Sequence, residues 1–445
     1  MNGKSSLNKQ NPTISKKTWF IVFMFFFLYI INFADKAIVG FAAAPIMEEF
    51  NLTPTQFGFL GSAFFFLFSI SAIVVSSFSD YIGPRRVLSG MSIIWATVQF
   101  ATILIASYPL LLASRIILGA GEGPTNSVTN SAVARILPKE KLSLGATAMM
   151  LGTNAGPAIM APILAVVIAQ YGWRSGFLLL GVIGVIWLVL WQFFVKEKDL
   201  TLHSNIEKKS SESESKSKQR VDWKEVFKVI KSVHFITIVF SLFASYWIIS
   251  IQLVWFPYYF ANALSLNPGQ LGFLNSLPWL APIIPLIFFS MLSDRLYKKT
   301  ASLRKGRVFV AAPIVILTGI CIGLASIVQS PVLSVIFIIL TAACNTIIHS
   351  VGPAIISVMA KPEIRGTVLG ISNGLLTSSA IIAPAITGAI IENYSGNLGF
   401  QYAFGIPSIL LIISGLLFLI FCRPDKMANT SPRMKTTVEE TIIIS

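Results

Sequence analysis

Apolar residues in this chain fall into long runs separated by short polar breaks. They do not alternate as in a half-buried strand, nor form the one-sided stripe of a surface helix. Runs long enough to cross a bilayer as α-helix, roughly 20 residues each, occupy 19–43, 54–79, 87–106, 109–136, 141–169 and 173–195. A polar stretch rich in Lys, Glu and Ser follows at 196–232, and six more runs occupy 233–263, 268–293, 308–328, 331–359, 364–391 and 399–421. The pattern predicts an all-α polytopic membrane protein with a tail at 1–18 and a six-helix bundle at 19–195. A linker at 196–232, loose or weakly helical, then leads to a second bundle at 233–421 and a loose tail at 422–445. The first run is too long for the core of a signal peptide. Cleavage near Phe41-Ala-Ala-Ala-Pro45 would discard Asp35 and Lys36, so the run is read as span 1.

The two bundles repeat one another. Leu52-Thr-Pro54-Thr-Gln56-Phe-Gly58-Phe59-Leu60 returns as Leu266-Asn-Pro268-Gly-Gln270-Leu-Gly272-Phe273-Leu274, and the same step carries Asp80 onto Asp294. Later, Pro109 corresponds to Pro331, and Ala161-Pro162 to Ala383-Pro384. Parallel six-helix repeats place a substrate site at their interface near the bilayer midplane.

Composition sharpens this picture. The chain of 445 residues is 54% hydrophobic and 12% charged, against about a quarter charged in soluble domains. Its net charge of +15 comes from Lys and Arg in the breaks between spans, which is a topology signal rather than a nucleic-acid surface. On the predicted alternation, every Lys and Arg falls on the side of the two tails and the linker except Arg174, which is opposite, and Lys36 and Arg115, which are inside spans. The positive-inside rule therefore makes both termini cytoplasmic. The three cysteines, Cys321, Cys344 and Cys422, match no metal spacing or disulfide framework. No nucleophile–base set or phosphate loop suggests an enzyme.

Candidate chemistry lies in spans 1 and 4. Ser114-Arg115-Ile-Ile-Leu-Gly119-Ala-Gly-Glu122-Gly-Pro124-Thr-Asn126 puts Arg115 and Glu122 nearly two turns apart on one helix face. Span 1 adds Asn32, Asp35 and Lys36. A charge at bilayer depth costs roughly 2.5–3.5 kcal/mol on insertion scales, so such groups face a bundle interior or a wet cavity. Counting about 1.5 Å per residue sets Asp35, Lys36 and Arg115 near one level and Glu122 about 10 Å deeper. That spacing predicts Asp35 engaged with the two cations, and Glu122, with little company, as the group that holds a proton. From the second half, Asn345, Asn373 and Tyr258 are candidates for contacts to the rest of a substrate. His349 reads as a hydrogen-bonded packing residue.

Twelve spans, a repeated half and a central linker are similar to the major facilitator superfamily. The loop Ser76-Ser-Phe-Ser-Asp80-Tyr-Ile-Gly83-Pro-Arg85-Arg86 resembles its signature between spans 2 and 3, and Ser290-Met-Leu-Ser-Asp294-Arg295 resembles the second copy. The resemblance implies that Asp80, Arg85, Asp294 and Arg295 clamp the cytoplasmic side when it closes. Asn32-Phe-Ala-Asp35-Lys36-Ala and Arg115-Ile-Ile-Leu-Gly119-Ala-Gly-Glu122-Gly-Pro124 further resemble the anion:cation symporters related to sialin. By that resemblance Lys36 and Arg115 bind a carboxylate while Asp35 and Glu122 exchange protons. The chain departs from the family at Lys36, where arginine is usual, and at Phe68, where a tyrosine is common.

The expected function is proton-coupled import of a small organic anion, a sugar acid or other monocarboxylate, by alternating access in a bacterial inner membrane. No cofactor is expected beyond the co-transported H+, with Na+ left open, and no partner beyond substrate and lipid for a monomer. A drug:proton antiporter is the alternative, because Gly152-Thr-Asn-Ala-Gly156-Pro157 partly resembles an exporter signature. A non-transporting membrane sensor is a third reading.

Overall fold

The computed structural model describes residues 15–138, 141–200, 222–263, 266–361, 363–394 and 396–425, with only the backbone given at 73, 76–81, 143, 263 and 331. The first half comprises α1 (Lys16–Phe41), α2 (Ala43–Glu49), α3 (Pro54–Ile82), α4 (Pro84–Thr102), α5 (Tyr108–Glu122), α6 (Thr125–Ile136), α7 (Leu142–Tyr171) and α8 (Trp173–Phe194). A short helix α9 (Trp223–Ile230) precedes the second half. That half comprises α10 (Val233–Val254), α11 (Phe256–Ala263), α12 (Pro268–Leu280), α13 (Ile283–Thr300), α14 (Phe309–Ile327), α15 (Pro331–Asn345), α16 (Ile347–Met359), α17 (Arg365–Asn393) and α18 (Asn397–Phe421). Several spans are thus broken rods: α5 with α6, α12 with α13 and α15 with α16 each form one crossing, giving twelve in all.

The breaks have local causes. Pro124 lacks the amide that would bond the Ala120 carbonyl, and the Glu122 carbonyl beside the break accepts from the Thr125 hydroxyl at 2.6 Å. Pro282 does the same between α12 and α13. The repeat extends to these defects: the first span of each half bends near its far end (α1 to α2, α10 to α11), and the fourth breaks midway. Among the described residues, ten crossings are long and apolar enough to span a membrane by length and composition. The other two are α4, which carries Arg85, Arg86 and Gln99, and the α5–α6 crossing with Arg115 and Glu122.

The face bearing α9, the start of α1 and the end of α18 is called the basic face, and the opposite one the distal face. Toward the distal face the halves are in direct backbone contact. A Cβ at Gly58 of α3 would collide with the Pro384 carbonyl of α17, and one at Gly388 of α17 with the Pro54 carbonyl of α3. The Glu392 carboxylate accepts from the Thr55 amide at 3.0 Å across the same seam. Ser276 of α12 donates to the Ala158 carbonyl of α7 at 2.8 Å on the other side of the pseudo-symmetric pair.

Two of the expected loose segments are structured in part. The linker ends in α9, N-capped by Asp222, whose side chain accepts from the Lys224 amide at 3.0 Å; its residues 201–221 lie outside the described residues. Past Phe421, Asp425 docks against the turn before α14, accepting from Ser302 at 2.8 Å and from the Leu303 amide at 2.7 Å. A carboxylate at orphan helix N–H groups is stabilised by hydrogen bonds and the helix dipole.

On the distal face, Arg174 at the start of α8 grips Glu49 at the end of α2 through two bonds of 2.7 and 2.6 Å and caps the Ile103 and Ile105 carbonyls after α4. The Trp173 indole adds a third donor to Glu49 at 2.8 Å. The Arg174 guanidinium holds the Glu49 carboxyl below its ordinary value. With its folded value depressed, the pair stabilises above the ordinary carboxylate range, about pH 4.3, and loses this as pH falls through the folded value. Glu49→Gln should lower Tm at neutral pH by a modest amount, on the order of 1 °C for so exposed a pair. The difference from the parent should vanish in acid, and scanning fluorimetry from pH 7 to pH 3 checks both.

Candidate functional site

Lys36 and Glu122 meet despite their sequence-derived difference in depth. The helix α1 runs away from the basic face, whereas α5 runs toward it, and side chains lean toward the N-terminus of their own helix. Lys36 therefore reaches back past its own preceding turn, to 3.4 Å from the Asn32 carbonyl, while Glu122 leans the opposite way. The two leanings close the gap, and Lys36 Nζ lies 2.8 Å from Glu122 Oε2. The expectation that Glu122 has little company is thus corrected. The Asn32 amide completes a triangle, donating to Glu122 Oε2 at 2.7 Å and accepting from Lys36 through its side-chain oxygen.

The motif glycines make this possible. A Cβ at Gly119 would collide with the Phe64 carbonyl, and one at Gly123 with the Phe68 carbonyl, so α5 seats directly on the α3 backbone. This draws the rings of Phe64 and Phe68 over the lysine, their centroids 5.4 and 5.2 Å from Nζ, with Phe33 of α1 at 4.7 Å. The ammonium is held by one carboxylate, one amide and three aromatic faces.

Arg115 is different. It is buried, its guanidinium carbon lies 4.8 Å from the Phe177 ring centroid of α8, and none of its three nitrogens has a hydrogen-bond partner among the described residues. Asp35 Oδ1 and both polar atoms of the Gln99 amide are likewise buried and unpaired. Asp35 is close enough to Arg115 and Lys36 for their charges to act on it. It is Glu122, however, that makes the direct ion pair. Asp35, Lys36 and Arg115 line one narrow cavity together with Gly61, Phe64 and, from the second half, Leu253 and Val254. It has room for about one water molecule. Unpaired buried donors of this kind are rare in folded proteins.

The second-half candidates lie elsewhere. Asn345 clasps Ser245 of α10, accepting from its hydroxyl at 2.8 Å and donating to its carbonyl at 3.0 Å, while His349 shares the same hydroxyl at 2.9 Å. Tyr258 packs its ring against Trp255 and Phe400. Neither lines the cavity with the charges. Asn373 is exposed one turn from Thr377, whose hydroxyl lies 3.4 Å from that of Ser69 across the seam, so it faces the cleft between halves on the basic side.

Of the gating candidates, Arg85 binds the Val195 carbonyl at 2.5 Å and the Gln192 side chain at 2.6 Å, capping the C-terminus of α8 in its own half. Asp294 pairs with Arg307 at 3.0 Å, also within its half. Arg295 is exposed in α13, and the side chain of Asp80 lies outside the described residues. Sequence reasoning missed Gln99, the aromatic cage and Phe177. A lone glutamine inside an apolar span was the available signal for Gln99. No group of three His, Cys, Asp or Glu side chains gathers as a metal site among the described residues.

Comparison with known proteins accords with this architecture. The solved structure of a D-xylose–proton symporter superposes with a TM-score of 0.74 over 92% of this chain and 99% of that one at 14% identity. A bacterial homolog of the human lysosomal transporter Spinster gives the same TM-score at 15% identity, covering 92% and 98%. In sequence, the chain is 29% identical to the hexuronate transporter of Bacillus subtilis strain 168 over 91% of its own length and 94% of the relative's. It is 26% identical to a probable sulfoacetate transporter of Cupriavidus necator, covering 89% and 92%. A probable galactarate/D-glucarate transporter of Bacillus subtilis strain 168 is 25% identical, with 89% and 91% covered. The family model for the Major Facilitator Superfamily matches residues 25–300 and again 238–443, and the chain belongs to that superfamily of membrane transporters.

Proposed function

We propose that this transporter imports a small organic anion, a sugar acid or other monocarboxylate, together with a proton, in a bacterial cytoplasmic membrane with both termini inside. The observation that carries the reading is Arg115: a planar cation, buried, with every nitrogen unpaired, on a cavity shared with Lys36. Its fork matches a carboxylate or sulfonate bidentately. The relatives of similar length named above carry hexuronates, sulfoacetate or aldarates, all small acids.

Proton coupling follows from the Lys36–Glu122 contact. With Glu122 ionised, Lys36 is occupied and Arg115 alone is available to an anion. A proton on Glu122 cancels the ion pair and releases the ammonium toward the cavity, so a second cation joins the substrate's carboxylate. Asp35, beside both cations, is the second proton carrier: a neutral Asp35 leaves Arg115 wholly to the substrate. Proton and anion each strengthen binding of the other, which is the thermodynamic content of symport. Asn373, in the cleft toward the basic face, is placed to meet the far end of a hydroxylated acid.

The test is ligand-induced thermal shift of the purified protein with hexuronates, aldarates, sulfoacetate, their neutral analogues and lipophilic cations, at pH 5.5 and 7.5. One acid should stabilise, and more strongly at the lower pH. Stabilisation by lipophilic cations alone would overturn the reading in favour of an exporter. Arg115→Lys keeps the charge and removes the fork, and should weaken binding of that acid about 100-fold. Glu122→Gln, a permanent stand-in for the protonated acid, should bind more tightly than the parent at pH 7.5 and gain less than the parent on going to pH 5.5. In vesicles it should exchange substrate without accumulating it against a gradient. Retained proton-driven accumulation in Glu122→Gln would refute its assigned role.

A further inference from the structure

The short helix α9 has three distinct flanks. Val226 and Val229 are buried against the second half, and Glu225 on that side is 3.4 Å from Lys361 in the loop before α17. At roughly 100° per residue, Trp223 and Phe227 form the next flank, apolar yet 56% and 49% exposed, with ring centroids 6.3 Å apart. Lys224, Lys228 and Lys231 follow on the third, all exposed, with Lys231 5.8 Å from the Phe227 ring. The chain passes through Lys231 and Ser232 directly into the membrane helix α10, whose first turn exposes Val233 and Ile236. Among the described residues nothing covers the two aromatic rings, and their neighbours are three cations at the level where a span enters the bilayer.

We propose that α9 is an interfacial anchor that binds anionic phospholipid of the leaflet on the basic face. Its aromatic flank inserts at the boundary between headgroups and acyl chains, and its lysines pair with lipid phosphates. Trp and Phe beside lysines are the residues such an interface selects, and a basic run close to a membrane surface is attracted to anionic lipid. Because α9 is packed on α10 and tied by Glu225 to the loop that starts α17, lipid bound there holds the ends of two second-half spans. The anchor rests on the proposed orientation only for which leaflet it meets in a cell. Binding itself is read in mixed micelles and vesicles without any transported substrate.

The experiment uses the full-length protein in detergent with added phosphatidylglycerol or phosphatidylcholine. Phosphatidylglycerol should raise Tm by about 2 °C or more over phosphatidylcholine. The triple variant Lys224→Gln, Lys228→Gln, Lys231→Gln should melt like the parent in phosphatidylcholine and lose that difference. In vesicles containing brominated phosphatidylglycerol, the parent's fluorescence should be quenched more than that of Trp223→Phe, which reports contact between Trp223 and acyl chains. A triple variant that keeps the full lipid difference overturns the proposal. So does a Trp223 signal that brominated lipid leaves unquenched, which would assign the aromatic flank to a soluble partner.

Discussion

The buried contact between Lys36 and Glu122 is the constraint around which the first half is arranged. Both side chains are almost wholly withdrawn from solvent. Taking two such charges out of water costs several kcal/mol per ion, which mutual attraction repays only when the remaining donors and acceptors are satisfied. Asn32 meets part of that demand from one turn away on α1, and three phenylalanine faces meet more of it. Those rings are in place only because glycines let α5 rest on the α3 backbone. An ion pair of this kind is a poor way to stabilise a fold, since apolar residues of the same volume do as well or better. On the mechanism proposed above, its value lies in having two states, closed while the carboxylate is charged and open once it is neutral.

The two halves divide the work. All four ionisable groups of the site sit in the first half, while the second meets the cavity with Leu253 and Val254. What the second half provides is closure: α17 lies backbone to backbone on α3, and α12 on α7. Such seams need a glycine or another small residue at each crossing, and they come apart as units because little in them bends. Arg85 and Asp294 bond within their own halves, so the charged loops of the basic face brace each bundle in this state with the distal side shut.

The twelve crossings were legible in the sequence because a bilayer demands length and apolarity together, and few other structures meet both demands. The repeat was legible too, down to Pro54 and Pro268, since turn chemistry at span starts is local. The geometry of the site was less so. Counting residues gave depths for Cα atoms, and at Lys36 and Glu122 the side chains, pointing toward each other from antiparallel helices, outweighed that count. Asn345 was read as facing a substrate and is turned instead to Ser245, a choice between two faces of one helix that periodicity within a uniformly apolar span does not encode. The linker's polar composition hid α9, because eight residues are too few to register against a background rich in lysine.

The contrast between the two cations then bears on where an anion goes. Lys36 and Arg115 line the same cavity at similar burial, yet one is saturated by partners and the other has none. If the arrangement served stability alone, the arginine would be the group to satisfy first: it has five donors where lysine has three, and each unmet one carries the cost of desolvation. Asp35 Oδ1, on the same cavity, and the Gln99 amide are buried and unpaired as well. What is left is a buried, unpaired fork whose cost the proposed planar anion would recover on arrival, as preorganised binding sites do. On the proposed mechanism Glu122 holds Lys36 in reserve, and the order in which the two cations become available would make the proton a condition of tight binding rather than a passenger.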